Sequence, residues 1–233
     1  MKKIAIMTAG GDCAGLNAAI KSVVMAASKN NIVVVGIIDG FIGFVERKYM
    51  VLDNKIVENI ERQGGTILGS SNKECPFHYP SKEKKDEYED RVDDSIKALR
   101  KIGVEAMIII GGDGTLDSAR VIDEAGMPTI GIPKTIDNDM VASNPTIGFD
   151  TGVENAVEAI RKLKTTAASH RRVMVVEMMG RTSGYLTLYS GFAAGADIIL
   201  LPERDYDLNI VCNRVKEIMS TDKRYVIIAV SEA

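Results

Sequence analysis

The chain has 233 residues, 45% of them hydrophobic and 26% charged, with a formal net charge of −3 at pH 7. That length holds one large domain or two small ones, the apolar content excludes a disordered chain, and the near-balanced charge excludes broad electrostatic binding to nucleic acid or an anionic membrane. Three scattered cysteines (Cys13, Cys75, Cys212) and only two histidines (His78, His170) exclude a disulfide framework and a histidine-rich metal site, and fit a reducing, cytoplasmic setting.

Met1-Lys2-Lys3 and the apolar residues after it begin like a signal peptide, but the run breaks at Gly10-Gly11-Asp12, too soon for one. Residues 4–8 are instead expected to form a buried strand. Gly10-Gly11-Asp12, with Gly15 and Asn17, then opens a helix. Such a loop is either a tight turn or a cradle for an anion, since glycines let backbone N–H groups come close and a helix N-terminus favours negative charge. It is neither a G-x-G-x-x-G fingerprint nor a P-loop. A second strand is expected at 32–38, and the charged stretch from 73 to 90 reads as a solvated loop leading into a helix.

The strand expected at 106–110 runs into Gly111-Gly112-Asp113-Gly114-Thr115. Its glycines leave room for a polyphosphate, and Asp113 is either a helix cap or a Mg²⁺ anchor, because Mg²⁺ keeps several waters and needs few protein ligands. After a strand at 128–132 comes Pro133-Lys134-Thr135-Ile136-Asp137-Asn138-Asp139, where two carboxylates, a hydroxyl and an amide cluster beside a lysine. Phosphoryl transfer to an alcohol needs a carboxylate within reach of the hydroxyl, with cations nearby, although polar surface turns favour the same residues. Thr151 is a candidate N-cap for a helix carrying Val153, Ala156, Val157, Ile160 and Leu163 at helical spacing. A strand at 173–178 follows Arg171 and Arg172 and leads to Met179-Gly180-Arg181. Arginines so placed either grip a phosphate or are ordinary surface charge. A strand at 197–201, a helix capped by Asp207 and a strand at 225–230 complete the pattern. Alternating near-continuous apolar strands and helices imply a doubly wound α/β fold with mostly parallel sheets in two Rossmann-like domains. The polar stretch at 133–145 marks the boundary, giving domains 1–139 and 140–233.

In this order, and together with Gly64-Gly65-Thr66-Ile67-Leu68-Gly69-Ser70 and Val175-Val176-Glu177-Met178-Met179-Gly180-Arg181, these loops resemble the 6-phosphofructokinases of the phosphofructokinase A type. The resemblance covers essentially the whole chain and implies transfer of a phosphoryl group to the 1-hydroxyl of fructose 6-phosphate. It implies that Asp137 takes the hydroxyl proton, that Thr135 and Asp139 organise the site, and that Asp113 holds Mg²⁺. Gly11, Gly112, Gly114 and Thr115 would line the donor's phosphates, and Phe41 would lie near the nucleotide. Arg181, Met179, Gly180 and Glu232 would contact the sugar phosphate, with Arg172 reaching that of a neighbouring subunit in a homo-oligomer, by family expectation a tetramer.

The resemblance is not uniform. Gly114 favours ATP as donor, because a carboxylate there would repel a nucleotide's α-phosphate, whereas Lys134 is more usual in pyrophosphate users. Asn72 and Lys73 stand where the family often supplies an arginine to the transferred phosphate, and lysine replaces its charge but not its bidentate fork. Lys21, Met25 and Asn54 stand where bacterial members line an effector site with basic residues. Family chains continue past Glu232 with further cations for the sugar phosphate, so this chain is expected to be incomplete at its C-terminus. Three functions follow as expectations: an ATP-dependent 6-phosphofructokinase of glycolysis, a pyrophosphate-dependent one, or a non-catalytic nucleotide-binding or regulatory fragment.

Overall fold

A computed structural model describes residues 1–72, 75–81, 86–141 and 143–233, which fall into two compact units, Met1–Thr135 and Ile136–Ala233. In the first, β1 (Lys3–Thr8), β2 (Val33–Ile37), β3 (Tyr49–Leu52), a short hairpin of β4 (Tyr79–Pro80) and β5 (Tyr88–Glu89), β6 (Ala106–Gly111) and β7 (Thr129–Thr135) alternate with α1 (Leu16–Lys29), α2 (Phe41–Glu46), α3 (Val92–Lys101) and α4 (Asp113–Glu124). The main sheet runs in the order β3-β2-β1-β6-β7, parallel except for β3, which pairs antiparallel with β2 at the edge.

Side chains of successive strand residues point to opposite faces. Ala5, Met7, Val35, Ile37, Met107 and Ile109 therefore pack on one side with Phe41, Phe44, Ile96, Leu99 and Ile122 from α2, α3 and α4. The alternate residues Ile4, Ile6, Val34 and Ile110 are buried as well, and α1 buries Leu16, Ile20, Val24 and Ala27 at helical spacing. A strand covered on both faces must be apolar throughout, which is why these strands read as uninterrupted runs. β7 runs beyond the strand expected at 128–132 to include Pro133, Lys134 and Thr135, with Pro133 opposite Gly111 at the end of the ladder.

The second unit comprises β8 (Ile147–Gly148), α5 (Phe149–His170), β9 (Val173–Met178), α6 (Tyr185–Ala194), β10 (Ile198–Leu200), α7 (Leu208–Met219) and β11 (Val226–Ser231). Its three-stranded sheet is wholly parallel, ordered β10-β11-β9. β11 is its core: Ile227 joins Val157, Ile160, Ala167 and Ala194 from α5 and α6, while Val226 and Ile228 meet Val211, Val215, Ile218 and Met219 of α7 on the other face. Asp207 caps α7, its carboxylate accepting from the Asn209 N–H at 2.7 Å. Thr151 is not the cap of α5: the helix begins at Phe149, with Gly148 as N-cap in the left-handed region (φ 106°), so Thr151 lies inside the first turn. Among the described residues no helix is long and apolar enough to cross a membrane.

Chemical denaturation should rank two substitutions in this unit. Ile227→Ala opens a cavity between β11 and helices α5 and α6 and is expected to lower stability by about 2–5 kcal/mol. Asp207→Ala removes one cap bond and is expected to lower it by about 1 kcal/mol.

Candidate active site

In the first unit, three loops leave the carboxyl ends of adjacent parallel strands, where ligands of open α/β sheets collect. The Gly10-Gly11-Asp12 loop after β1 is tied to residues 63–71 by a network. The Gly10 N–H donates to the Ser71 carbonyl (3.0 Å), the Ser70 hydroxyl donates to the Gly10 carbonyl (2.6 Å), and the Thr8 hydroxyl donates to the Gly69 carbonyl (2.8 Å). Asn17, 1% exposed in the first turn of α1, donates to the Gln63 carbonyl (3.1 Å) and accepts from the Ile67 N–H (2.8 Å). These buried bonds hold an irregular segment against a helix and strand far from it in sequence.

Gly10, Gly11 and Asp12 line an open cleft of about 740 Å³ together with Asp39, Ile42, Thr66, Ser70, Ser71 and Asn72. Phe41 is not on this wall. It is 4% exposed and belongs to the core, and its neighbour Ile42 faces the cleft instead. Asp39 and Ser71 were not singled out from the sequence. An Asp-Gly pair directly after β2 was the available sign, and Asp39 takes a positive φ of 59° there. Lys73 lies outside the described residues.

The loop after β6 packs closely: a Cβ on Gly111 would stand 2.3 Å from Thr115 Cγ2, so only glycine fits beneath that side chain. Gly112 is the N-cap of α4, and Asp113 lies exposed in the first turn without making a side-chain cap bond. The helix-capping alternative for Asp113 is thereby removed, and its carboxylate faces solvent beside glycines. A Cβ on Gly114 would meet nothing within 4 Å, so open space adjoins it. Among the described residues no three His, Cys, Asp or Glu side chains are grouped to hold a metal. A single carboxylate suits Mg²⁺ carried on a donor's phosphates, because that ion needs only one or two protein ligands.

Thr135 ends β7 in the first unit, and the remaining residues singled out from the sequence lie in the second. The Asp137 carboxylate accepts from the Arg181 N–H (3.4 Å), and the Asp137 carbonyl accepts from the Ser183 hydroxyl (2.8 Å). The Glu232 carboxylate accepts from the Gly180 N–H (3.0 Å), and the Glu232 N–H continues the strand ladder to the Met178 carbonyl (2.9 Å). Asp137, Gly180, Arg181 and Glu232 are thus brought together. Asn138, at φ 52°, turns the chain between the two aspartates, its side chain accepting from the Thr146 N–H (3.0 Å). Asp139, Met179 and Arg181 are exposed. Arg172 precedes β9 at the opposite end from Met179, roughly 20 Å of extended strand away, and does not join this cluster.

Two further features lie in the first unit. Burial pushes the Cys13 thiol above its ordinary pKa, with the Lys134 ammonium pulling it partly back and Asp12 adding to the rise. A separate cavity of about 440 Å³ is lined by Lys21, Met25, Ser28, Lys29, Asn54, Val57 and Glu58, and the Lys21 ammonium is paired with Glu61 at 2.6 Å.

A family model described as phosphofructokinase matches residues 3–233. The chain belongs to the phosphofructokinase family. It is 46% identical over 235 residues to an ATP-dependent 6-phosphofructokinase 2 of Clostridium perfringens, covering 100% of this chain and 64% of that one. An ATP-dependent 6-phosphofructokinase 2 of Streptomyces coelicolor is 45% identical, covering 99% of this chain and 65% of the relative. The chain therefore spans somewhat less than two thirds of these relatives' length. Among solved structures, phosphofructokinase from Saccharomyces cerevisiae superposes with a TM-score of 0.86 at 30% identity, covering 100% of this chain and 34% of that one. A pyrophosphate-dependent phosphofructokinase from Marinobacter aquaeolei shares the fold at a TM-score of 0.82 and 21% identity, covering 100% of this chain and 60% of that one.

Two outcomes test this geometry. Gly180 has φ 150°, and a Cβ there would stand 2.4 Å from the Ser183 carbonyl oxygen. Gly180→Ala is expected to raise amide exchange across residues 179–183, where the Glu232 and Asp137 bonds anchor the turn. With iodoacetamide at neutral pH, peptide mapping should find the exposed Cys212 labelled first and the buried, neutral Cys13 thiol last.

Proposed function

We propose that this chain carries the donor and acceptor sites of an ATP-dependent 6-phosphofructokinase. It would transfer the γ-phosphoryl of Mg-ATP to the 1-hydroxyl of fructose 6-phosphate and give fructose 1,6-bisphosphate, as a cytoplasmic enzyme of glycolysis. The observation that carries the reading is the Asp137 carboxylate on the Arg181 N–H, one residue from the Glu232–Gly180 bond, in a chain of this family.

In this reading Asp137 takes the proton of the 1-hydroxyl as that oxygen attacks phosphorus, and the hydrogen bond from Arg181 keeps the carboxylate turned toward its task. The Arg181 guanidinium offsets the charge that develops on the transferred group. Thr135 and Asp139 flank the base along the chain. Met179, Gly180 and Glu232 shape the sugar side, Glu232 as an acceptor for sugar hydroxyls. The exposed position of Arg172, remote from that cluster, supports a role toward a neighbouring subunit in a homo-oligomer, by family expectation a tetramer.

On the donor side, Gly11, Gly112, Gly114 and Thr115 line the phosphates and Asn72 the cleft wall, with Lys73 beside it in sequence and Phe41 backing the wall from the core. Asp113 would hold Mg²⁺, which when bound neutralises phosphate charge during transfer. The open space beside Gly114, where a Cβ would meet nothing described within 4 Å, supports ATP, since a carboxylate there would crowd a nucleotide's α-phosphate.

Phosphoryl transfer to fructose 6-phosphate, measured in parallel with Mg-ATP and Mg-pyrophosphate, tests the reading. Product with ATP alone is expected, and Asp137→Asn should lower kcat by about 10²–10⁴-fold while fructose 6-phosphate still binds. Product with pyrophosphate alone would replace the donor. Binding of Mg-ATP without turnover would mark a nucleotide-binding or regulatory chain instead.

A further inference from the structure

Among the described residues, Lys134 is the only Lys, Arg, Asp or Glu that is buried, at 5% exposure. An ammonium taken out of water is costly unless polar groups surround it. At the end of β7, it donates to the carbonyl of Gly11, 123 positions earlier in the chain. It lies beneath the loop after β1: a Cβ on Gly10 would stand 3.7 Å from its Nζ and 3.2 Å from Thr115 Oγ1.

The geometry of a trans peptide gives this bond a consequence. The carbonyl of one residue and the N–H of the next point in opposite directions, and no peptide described here is cis. With the Gly11 carbonyl turned down onto the ammonium, the Asp12 N–H is turned the other way. The Ser70 hydroxyl holds the Gly10 carbonyl at 2.6 Å, which fixes the plane of the preceding peptide. Gly10, Gly11 and Asp12 all line the cleft, so two successive peptides are oriented by side chains outside their own loop. A backbone N–H turned away from the buried ammonium, in a loop that lines the cleft, is a donor for an anion bound there.

We propose that Lys134 is a positioning residue for the donor's phosphates, its buried ammonium holding the Gly11 carbonyl so that the Gly11-Asp12 backbone presents its N–H side to the anion. The lysine acts from behind the loop and contacts no phosphate itself. Its presence therefore does not mark a pyrophosphate site, and it is compatible with ATP bound beside Gly114. The identity of the anion rests on the phosphofructokinase reading; the orientation of the loop does not.

Hydrogen exchange read by mass spectrometry on the ligand-free protein tests the loop directly. In Lys134→Met, peptides spanning residues 9–16 are expected to exchange at least about fivefold faster, with β2 and the second unit unchanged. Lys134→Arg keeps a charged donor and should recover most of the protection. Calorimetric titration with the non-hydrolysable Mg-AMP-PNP should show binding weakened at least about tenfold in Lys134→Met, with fructose 6-phosphate affinity within about twofold of the parent. Weakened nucleotide binding with unchanged loop exchange would make Lys134 a direct phosphate contact and overturn the proposal, as would a loss confined to Mg-pyrophosphate. Faster exchange throughout the protein would mark general destabilisation and overturn it too. If Lys134→Met does not fold, Lys134→Gln is read by the same exchange, and normal protection of residues 9–16 then counts against the proposal. A parent protein that fails to bind Mg-AMP-PNP would tell against the phosphofructokinase reading while leaving the exchange result to decide the role of Lys134.

Discussion

In-register parallel pairing of β1, β6 and β7 places Thr8 beside Ile110 and Gly111 beside Pro133, so three chain segments leave the sheet at one level. Neighbouring strands lie about 4.8 Å apart, which brings three loops distant in sequence within roughly 10 Å of one another. Side chains cannot fill that narrow strip and also leave room for a ligand. Hence the loops are built from Gly10, Gly11, Gly111 and Gly112, and the larger groups that enter, Thr115 and Lys134, do so by packing under them. The irregular 63–72 segment closes the strip from the side, its backbone bonded by Asn17 and Thr8 rather than by strand partners.

The second unit meets a similar need with fewer parts. Its sheet has three strands, and β11 carries an apolar cluster on each face, so the ends of β9 and β11 are held from both sides of the sheet. Two carboxylates near those ends, Asp137 and Glu232, each accept a backbone N–H from the tight 180–181 turn. Bonds of this charge-assisted kind are worth about 1.5–3 kcal/mol when well formed, and they aim a carboxylate more firmly than rotamer preference does. Glycine at 180 permits the turn, since a side chain there would run into the Ser183 carbonyl.

Much of this could be read in the residues. Strands buried on both faces are apolar throughout, so β1, β2, β6 and β11 stood out, and Asp207 had the chemistry of a cap and serves as one; β9 reads the same way but leaves Val173, Val175 and Glu177 exposed, and β10 is only half-buried. What could not be read depended on distant partners. The start of α5 fell at Phe149 because Gly148 adopts a conformation closed to most residues, whereas Thr151 only resembled a cap by type. Phe41 carried an expectation from the resemblance alone, and only packing shows that it turns into the core while Ile42 meets the cleft. The antiparallel edge strand β3 and the partners of Asn17 left no periodic trace, because a hydrogen bond to a loop some fifty residues away has no signature in local spacing.

The bond between Lys134 and Gly11 also sets an order of events during synthesis. A chain is made from its N-terminus at about 5–20 residues per second, and early segments begin to fold while later ones are still absent. β1 and the glycine loop emerge before the rest of their unit, yet the group that fixes the Gly11 peptide is 123 residues behind. The loop must therefore wait, unfixed, through most of the growth of its own unit. The cleft beside Gly10, Gly11 and Asp12 is begun at the first strand of that unit and finished by its last strand to arrive.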